Sequence, residues 1–228
     1  MGPFIDSDHP EIKKGTSDQS FHDIFHFEIL RKLQDFTQYL GHNVRVILVP
    51  SVRDAHHDAV FPQPAFDLHL PEDMTQQQIT CLSNPSLFSS NEIQFGCCTV
   101  DILKQLSGDE ISRKPPGGKA ADRIGRLATH IVKQQSYYPL YPPAAGVPMD
   151  FSLAKEALEI PSAPDVLLLP SDLAPSVKVL SVNEDTEEHK RFICVNPGRL
   201  AKGIGGGTFV ELYYNEDTEK TKAFIMRI

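Results

Sequence analysis

The sequence predicts an α/β (α+β) chain, and two observations carry that expectation. Segments of helical period alternate with short β-branched apolar runs through the first two thirds of the 228 residues. The final third is a succession of strand-like runs separated by polar or glycine-rich turns. Helices early and strands late mark a mixed architecture rather than a helical bundle or a pure sandwich.

The elements follow in order. "GPFIDSDHPEIKKG" has the character of a loop leaving a strand, with no strand before it, so an N-terminally truncated chain is expected. In "SFHDIFHFEILRKLQDFTQYLGHN", Phe25, Ile29, Leu33, Phe36 and Leu40 recur at helical spacing. Ser20 can cap that helix, and Gly41 with His42-Asn43 can end it. "VRVILVP" (Val44 to Pro50) and "EIQFGCCTV" read as strands, the first apolar enough to be buried on both faces. "VDILKQLSG" is a short helix that Gly108 should stop, and "SGDEISRKPPGGKAAD" a flexible surface loop. "ADRIGRLATHIVKQQ" puts Ile124, Leu127, Ala128 and Ile131 on one helix face. "SYYPLYPPAAGVPMD" is too rich in Pro to be regular. "PDVLLLPSD" reads as a strand ending at Pro170. "VKVLSV", "RFICVN", "GTFVELYY" and "KAFIMRI" follow as strands, with "NEDTEEHK" and "NEDTEK" as loops between them.

Composition narrows the function classes. Acidic residues outnumber basic ones 30 to 22, a net charge of -8, which repels phosphate backbones and argues against nucleic acid as the main direct ligand. Cys81, Cys97, Cys98 and Cys194 form no C-x-x-C pair, so they read as reduced, mostly buried thiols of an intracellular protein. No apolar signal segment opens the chain, and runs such as "DVLLLP" are too short to span a bilayer.

Three apparent motifs fail on inspection. His22 and His26 have zinc-compatible i, i+4 spacing, but Glu28 is out of the H-E-x-x-H frame and no further ligands are placed to complete a site. "GRLAKGIGGGT" puts Ile204 where a phosphate loop needs Lys, and Thr208 where the dinucleotide fingerprint needs its last Gly. Cys97 and Cys98 lack a nearby His to activate a nucleophile.

What remains is three loops at strand ends, where open α/β sheets collect chemistry. They are "GPFID", "PSVRDAHH" and "PSDL". In this order they resemble the G-D-x-x-D, G-N-H-D/E and G-H-x-H loops of the calcineurin-like metallophosphoesterases. That resemblance implies an αββα sandwich in which Asp, Asn and His hold two metals. The departures fall on the working positions. Pro3 stands where a metal-bridging Asp is expected, and Asp6 is kept. Val52 replaces the ligand Asn, Arg53 the catalytic His, and only Asp54 survives. Ser171 and Leu173 stand where the paired histidines belong, and no His lies between His130 and His189. Pro, Val and Leu offer a metal no lone pair, and a guanidinium repels it. The implied site is therefore vestigial, with no catalytic residue, no metal and no cofactor. Arg53 is expected to pair with Asp6 or Asp54 in place of the lost cations. His56, His57 and Asp58 fall outside the frame as loop residues.

"VPSVRDAHHDAVFPQPAF", "SYYPLYPP", "PDVLLLPSDL" and "CVNPGRLAKGIGGGTFVEL" sharpen the resemblance to the B (accessory) subunits of DNA polymerase alpha–primase, from Gly2 to about Leu212. Ala174-Pro175-Ser176 departs from the aromatic-containing turn expected there. The resemblance implies one domain over 1–228, the C-terminal part of an inactive phosphoesterase domain without its OB domain and first strands. It implies a nuclear, non-catalytic scaffold in DNA replication that binds the C-terminal region of the polymerase catalytic subunit. Primase would be met through the complex, DNA only indirectly, and a membrane not at all. Tyr137, Tyr138 and Tyr141 are candidates for that interface or for internal packing. The alternatives are an active metal-dependent phosphodiesterase and an α/β interaction domain outside replication.

Overall fold

The computed structural model describes residues 1–68, 78–113, 122–182, 190–202, 205–215 and 220–228. They form two compact units, Met1–Asn84 with Ala145–Ala154, and Pro85–Ala144 with Lys155–Ile228. The mixed α/β architecture expected from the sequence is present in both.

In the first unit a short helix, α1 (Pro10–Lys14), interrupts the loop expected over the N-terminal residues. His9 caps it and Pro10 occupies its first turn, where the missing N–H costs nothing. The long helix comes in three runs: α2 (Phe21–Ile24), a π-helical stretch (Phe25–Leu30) and α3 (Arg31–Leu40). Ser20 caps its start and Gly41, at φ 78, ends it, as expected. The π turn alters which residues face inward. One extra residue turns the following helix by about 100° relative to a regular one. The inward series is therefore Phe25, Leu30, Leu33 and Thr37, with the expected Ile29 partly buried against the same core, while Phe36 and Leu40 face solvent, against the uniform-period expectation. The fully buried Thr37 satisfies its hydroxyl on Gln34 O at 2.9 Å.

Two parallel strands complete the unit: β1 (Val46–Leu48), shorter than the Val44–Pro50 run suggested, and β2 (Ile79–Cys81). Phe25, Leu30, Leu48, Phe66, Ile79 and Ile5 form the core between helix and strands. The buried Gln78 amide donates to the carbonyls of Gly41 and Val44 at 2.7 and 3.2 Å, closing the end of α3.

The second unit is built on β3 (Ser86–Ser90), β4 (Ile93–Cys97), α4 (Ile102–Asp109), α5 (Arg123–Lys133), α6 (Phe151–Ala157, which begins in the first unit), β5 (Val166–Leu168), β6 (Ser176–Val182) and β7 (Lys190–Asn196). It ends in the short β8 (Ala201–Lys202) and β9 (Gly205–Gly206) and the hairpin β10 (Thr208–Tyr213) and β11 (Lys222–Arg227). The main sheet has order β3-β4-β5-β7-β6, with β4, β5 and β7 parallel and the two edge strands antiparallel. Helix α4 runs through Gly108 to Asp109 rather than stopping there, and Asp101 caps its start. Residues 114–121 of the loop expected after it lie outside the described residues, as do 183–189, 203–204 and 216–219 of the expected loops and glycine-rich turn.

Strand alternation layers this unit. On β6, Lys178 and Leu180 face α5: Lys178 Nζ lies 3.0 Å from Asp122, and Leu180 packs at Gly125. Val177, with Val166, Ile193 and Val195, faces the other way, onto Val210, Leu212 and Tyr214. The result is helix, sheet and second sheet, compatible with a calcineurin-like fold. Because Val210 and Leu212 face the main sheet, Phe209, Glu211 and Tyr213 point outward, with their partners Met226, Phe224 and Lys222. The bidentate pair of Arg126 with Glu110 ties α5 to the end of α4 and holds the Glu110 carboxyl down at about 2.

Candidate functional site

The first two of the three loops meet in the first unit. Backbone bonds zip them together: Gly2 N–H donates to Val49 O at 2.8 Å, Ala55 N–H to Ile5 O at 2.9 Å and Ser7 N–H to Arg53 O at 2.8 Å. Asp6 and Asp54 oppose each other as an isolated antiparallel bridge.

Asp54 is the centre of this arrangement. It is 2% exposed, and its carboxylate accepts three backbone N–H groups. Oδ1 takes those of Phe4 and Ile5, and Oδ2 takes that of Ser51 at 2.8 Å. Burial pushes this carboxyl above its ordinary value, against the pull of those donors. Gly2 is required beside it: a Cβ there would sit 2.2 Å from Asp54 Oδ2. The Asp54 side chain is thus committed to pinning one loop to the other.

Arg53 pairs with Asp6, not with Asp54. Nη2 lies 3.1 Å from Asp6 Oδ2, and Nη1 lies 4.0 Å from Asp8 Oδ2. A guanidinium placed there supplies the positive charge that Asp6 needs. Pro3 and Val52 are half-buried and contribute no donor atom to the site.

His56 is more than a loop residue. Its ring stacks between Phe25 at 4.0 Å and Phe66 at 5.1 Å, centroid to centroid. Neither ring nitrogen has a hydrogen-bond partner among the described residues. Burial, with help from His57 and His22, brings its pKa down to about 4, so the ring is neutral. His57 Nε2 lies 2.9 Å from Pro64 O. His22 and His26 stack on each other at 6.3 Å.

The third loop lies in the second unit. Ser171 is buried there, and its hydroxyl accepts the Leu173 N–H at 3.1 Å. The organiser is Asn196 of β7, a residue the sequence reading did not single out. It is fully buried and makes four bonds. Oδ1 accepts the N–H groups of Ser171 and Gly198, each at 2.9 Å. Nδ2 donates to the carbonyls of Leu173 and Ala174 at 3.1 and 3.2 Å. Gly198, at φ 73, makes the turn that brings its N–H back to Asn196. Asp172 receives Arg199 Nε at 2.5 Å and Lys104 Nζ at 2.9 Å. Burial raises its pKa, but those two cations outweigh it and hold the carboxyl below the usual range.

Of the candidate tyrosines, Tyr137 and Tyr138 are internal. Tyr137 is 2% exposed, lies over Gly96 and donates to Ser86 O at 3.2 Å. Tyr138 donates to Gln105 Oε1 at 2.7 Å and accepts the Ala144 N–H at 2.9 Å. Tyr141 is 84% exposed. All four cysteines are free; Cys97, Cys98 and Cys194 are buried, and burial pushes the Cys98 and Cys194 thiols up to about 12. Such thiols are not nucleophiles. Among the described residues, no group of three or more His, Cys, Asp or Glu side chains is arranged to hold a metal ion.

Residues 1–178 match the model of the family that comprises the B subunits of DNA polymerases alpha and epsilon. The chain belongs to that family. It is 34% identical to the DNA polymerase alpha B subunit of Rattus norvegicus over 222 residues, which cover 97% of this chain and 34% of the relative. With the same B subunit from Schizosaccharomyces pombe it shares 33% over 224 residues, 92% of this chain and 35% of the relative. For that of Saccharomyces cerevisiae the figures are 26% over 256 residues, 93% and 34%. The chain therefore spans about a third of the length of these curated relatives. No helix among the described residues is long and apolar enough to cross a membrane.

Proposed function

We propose that this chain is the C-terminal part of an inactive calcineurin-like phosphoesterase domain, 1–228, of a DNA polymerase alpha–primase B subunit. It acts as a non-catalytic scaffold in the nucleus. It binds the C-terminal region of the catalytic subunit and supports the RNA–DNA primer synthesis that initiates replication. Primase is reached through the complex and DNA only indirectly; the net charge of -8 favours a protein partner over a phosphate backbone. The observation that carries the non-catalytic part is the commitment of the surviving acids. Asp54 is taken up by three backbone donors and Asp6 by Arg53, while Pro3, Val52 and Leu173 have no donor atoms for a metal. Family membership over residues 1–178 supports the rest.

A permanent contact of this class between subunits buries on the order of 2,000 Å² or more. The test is a pull-down with the catalytic subunit's C-terminal region, with a complete accessory subunit as positive control. The complete subunit is expected to be captured at physiological salt, and DNA is not. Tight DNA binding by the complete subunit, with no capture by the catalytic one, overturns the scaffold reading. Elemental analysis and a nitrophenyl-phosphodiester assay in manganese test the other half. Stoichiometric metal with turnover lost in Asp54→Ala overturns it.

A further inference from the structure

We draw no further inference here: the strongest candidate, the outer face of the β10–β11 hairpin on which Tyr213, Phe224 and Met226 are exposed, carries nothing because nothing in the structure shows what covers it.

Discussion

Replacing Asp54 by Ala tests whether this carboxylate is a structural pin or a relic of catalysis. The substitution removes the acceptor for the N–H groups of Phe4, Ile5 and Ser51 in a site that is 2% exposed. A buried donor left unpaired costs about 1–3 kcal/mol, so three cost about 3–6 kcal/mol after partial relaxation. That is a large share of the roughly 5–15 kcal/mol that holds a domain together. Asp54→Asn divides the effect. Its oxygen can still serve Phe4 and Ile5, but its NH2 group then faces the Ser51 N–H, donor against donor. The expected loss is about 1–3 kcal/mol. Urea unfolding followed by far-UV circular dichroism reads both, with the slope checked for constancy. The order wild type, Asn, Ala is the expected one. Wild-type stability in Asp54→Ala, to within about 0.5 kcal/mol, refutes the pin, because surface-like substitutions behave that way.

Three further outcomes follow from the same geometry. His56 has a folded-state pKa near 4, below its ordinary 6.5, so the stability it supports is complete above pH 6.5 and is lost as pH falls toward 4. Because the ring is only partly buried, the loss should be about 1–2 kcal/mol, and His56→Phe should flatten the unfolding profile between those pH values. Asn196→Ala breaks four bonds at a fully buried position and should cost about 2–4 kcal/mol in thermal or urea unfolding. Arg53→Ala removes a pair whose side chains are 29% and 31% exposed, so stability should fall by no more than about 1 kcal/mol. Elemental analysis of that variant in manganese should still find no stoichiometric metal.

Much of the fold could be read from residue types. The runs at Val166–Leu168 and Lys190–Asn196 are dense in β-branched and apolar side chains, and both are central strands. The strands ITC and SLFSS were not legible, because three or five residues of mixed polarity carry no period. The helix FSLAKEA follows a Pro-rich stretch that masks its good helix formers. At the site, residue type alone tells that the side chains of Pro3, Val52 and Leu173 carry no donor atoms. Residue types leave Arg53 two acids to pair with, and the geometry selects Asp6. The roles of Asp54 and Asn196 were not legible. Their partners are backbone N–H and C=O groups, which every residue except Pro carries alike and which leave no mark on a sequence.

The π-helical stretch means that residue count, not residue chemistry, decides which side chains of the first long helix meet the core. A single deletion anywhere within Phe25–Leu30 would leave the composition almost intact. The helix would then become regular, and Leu33 and Thr37 would still face the core while Phe36 and Leu40 still face solvent. The π turn thus acts as slack in the helix: it holds one residue more than a regular turn, and losing that residue leaves unchanged the face that everything downstream to Gly41 presents to the core.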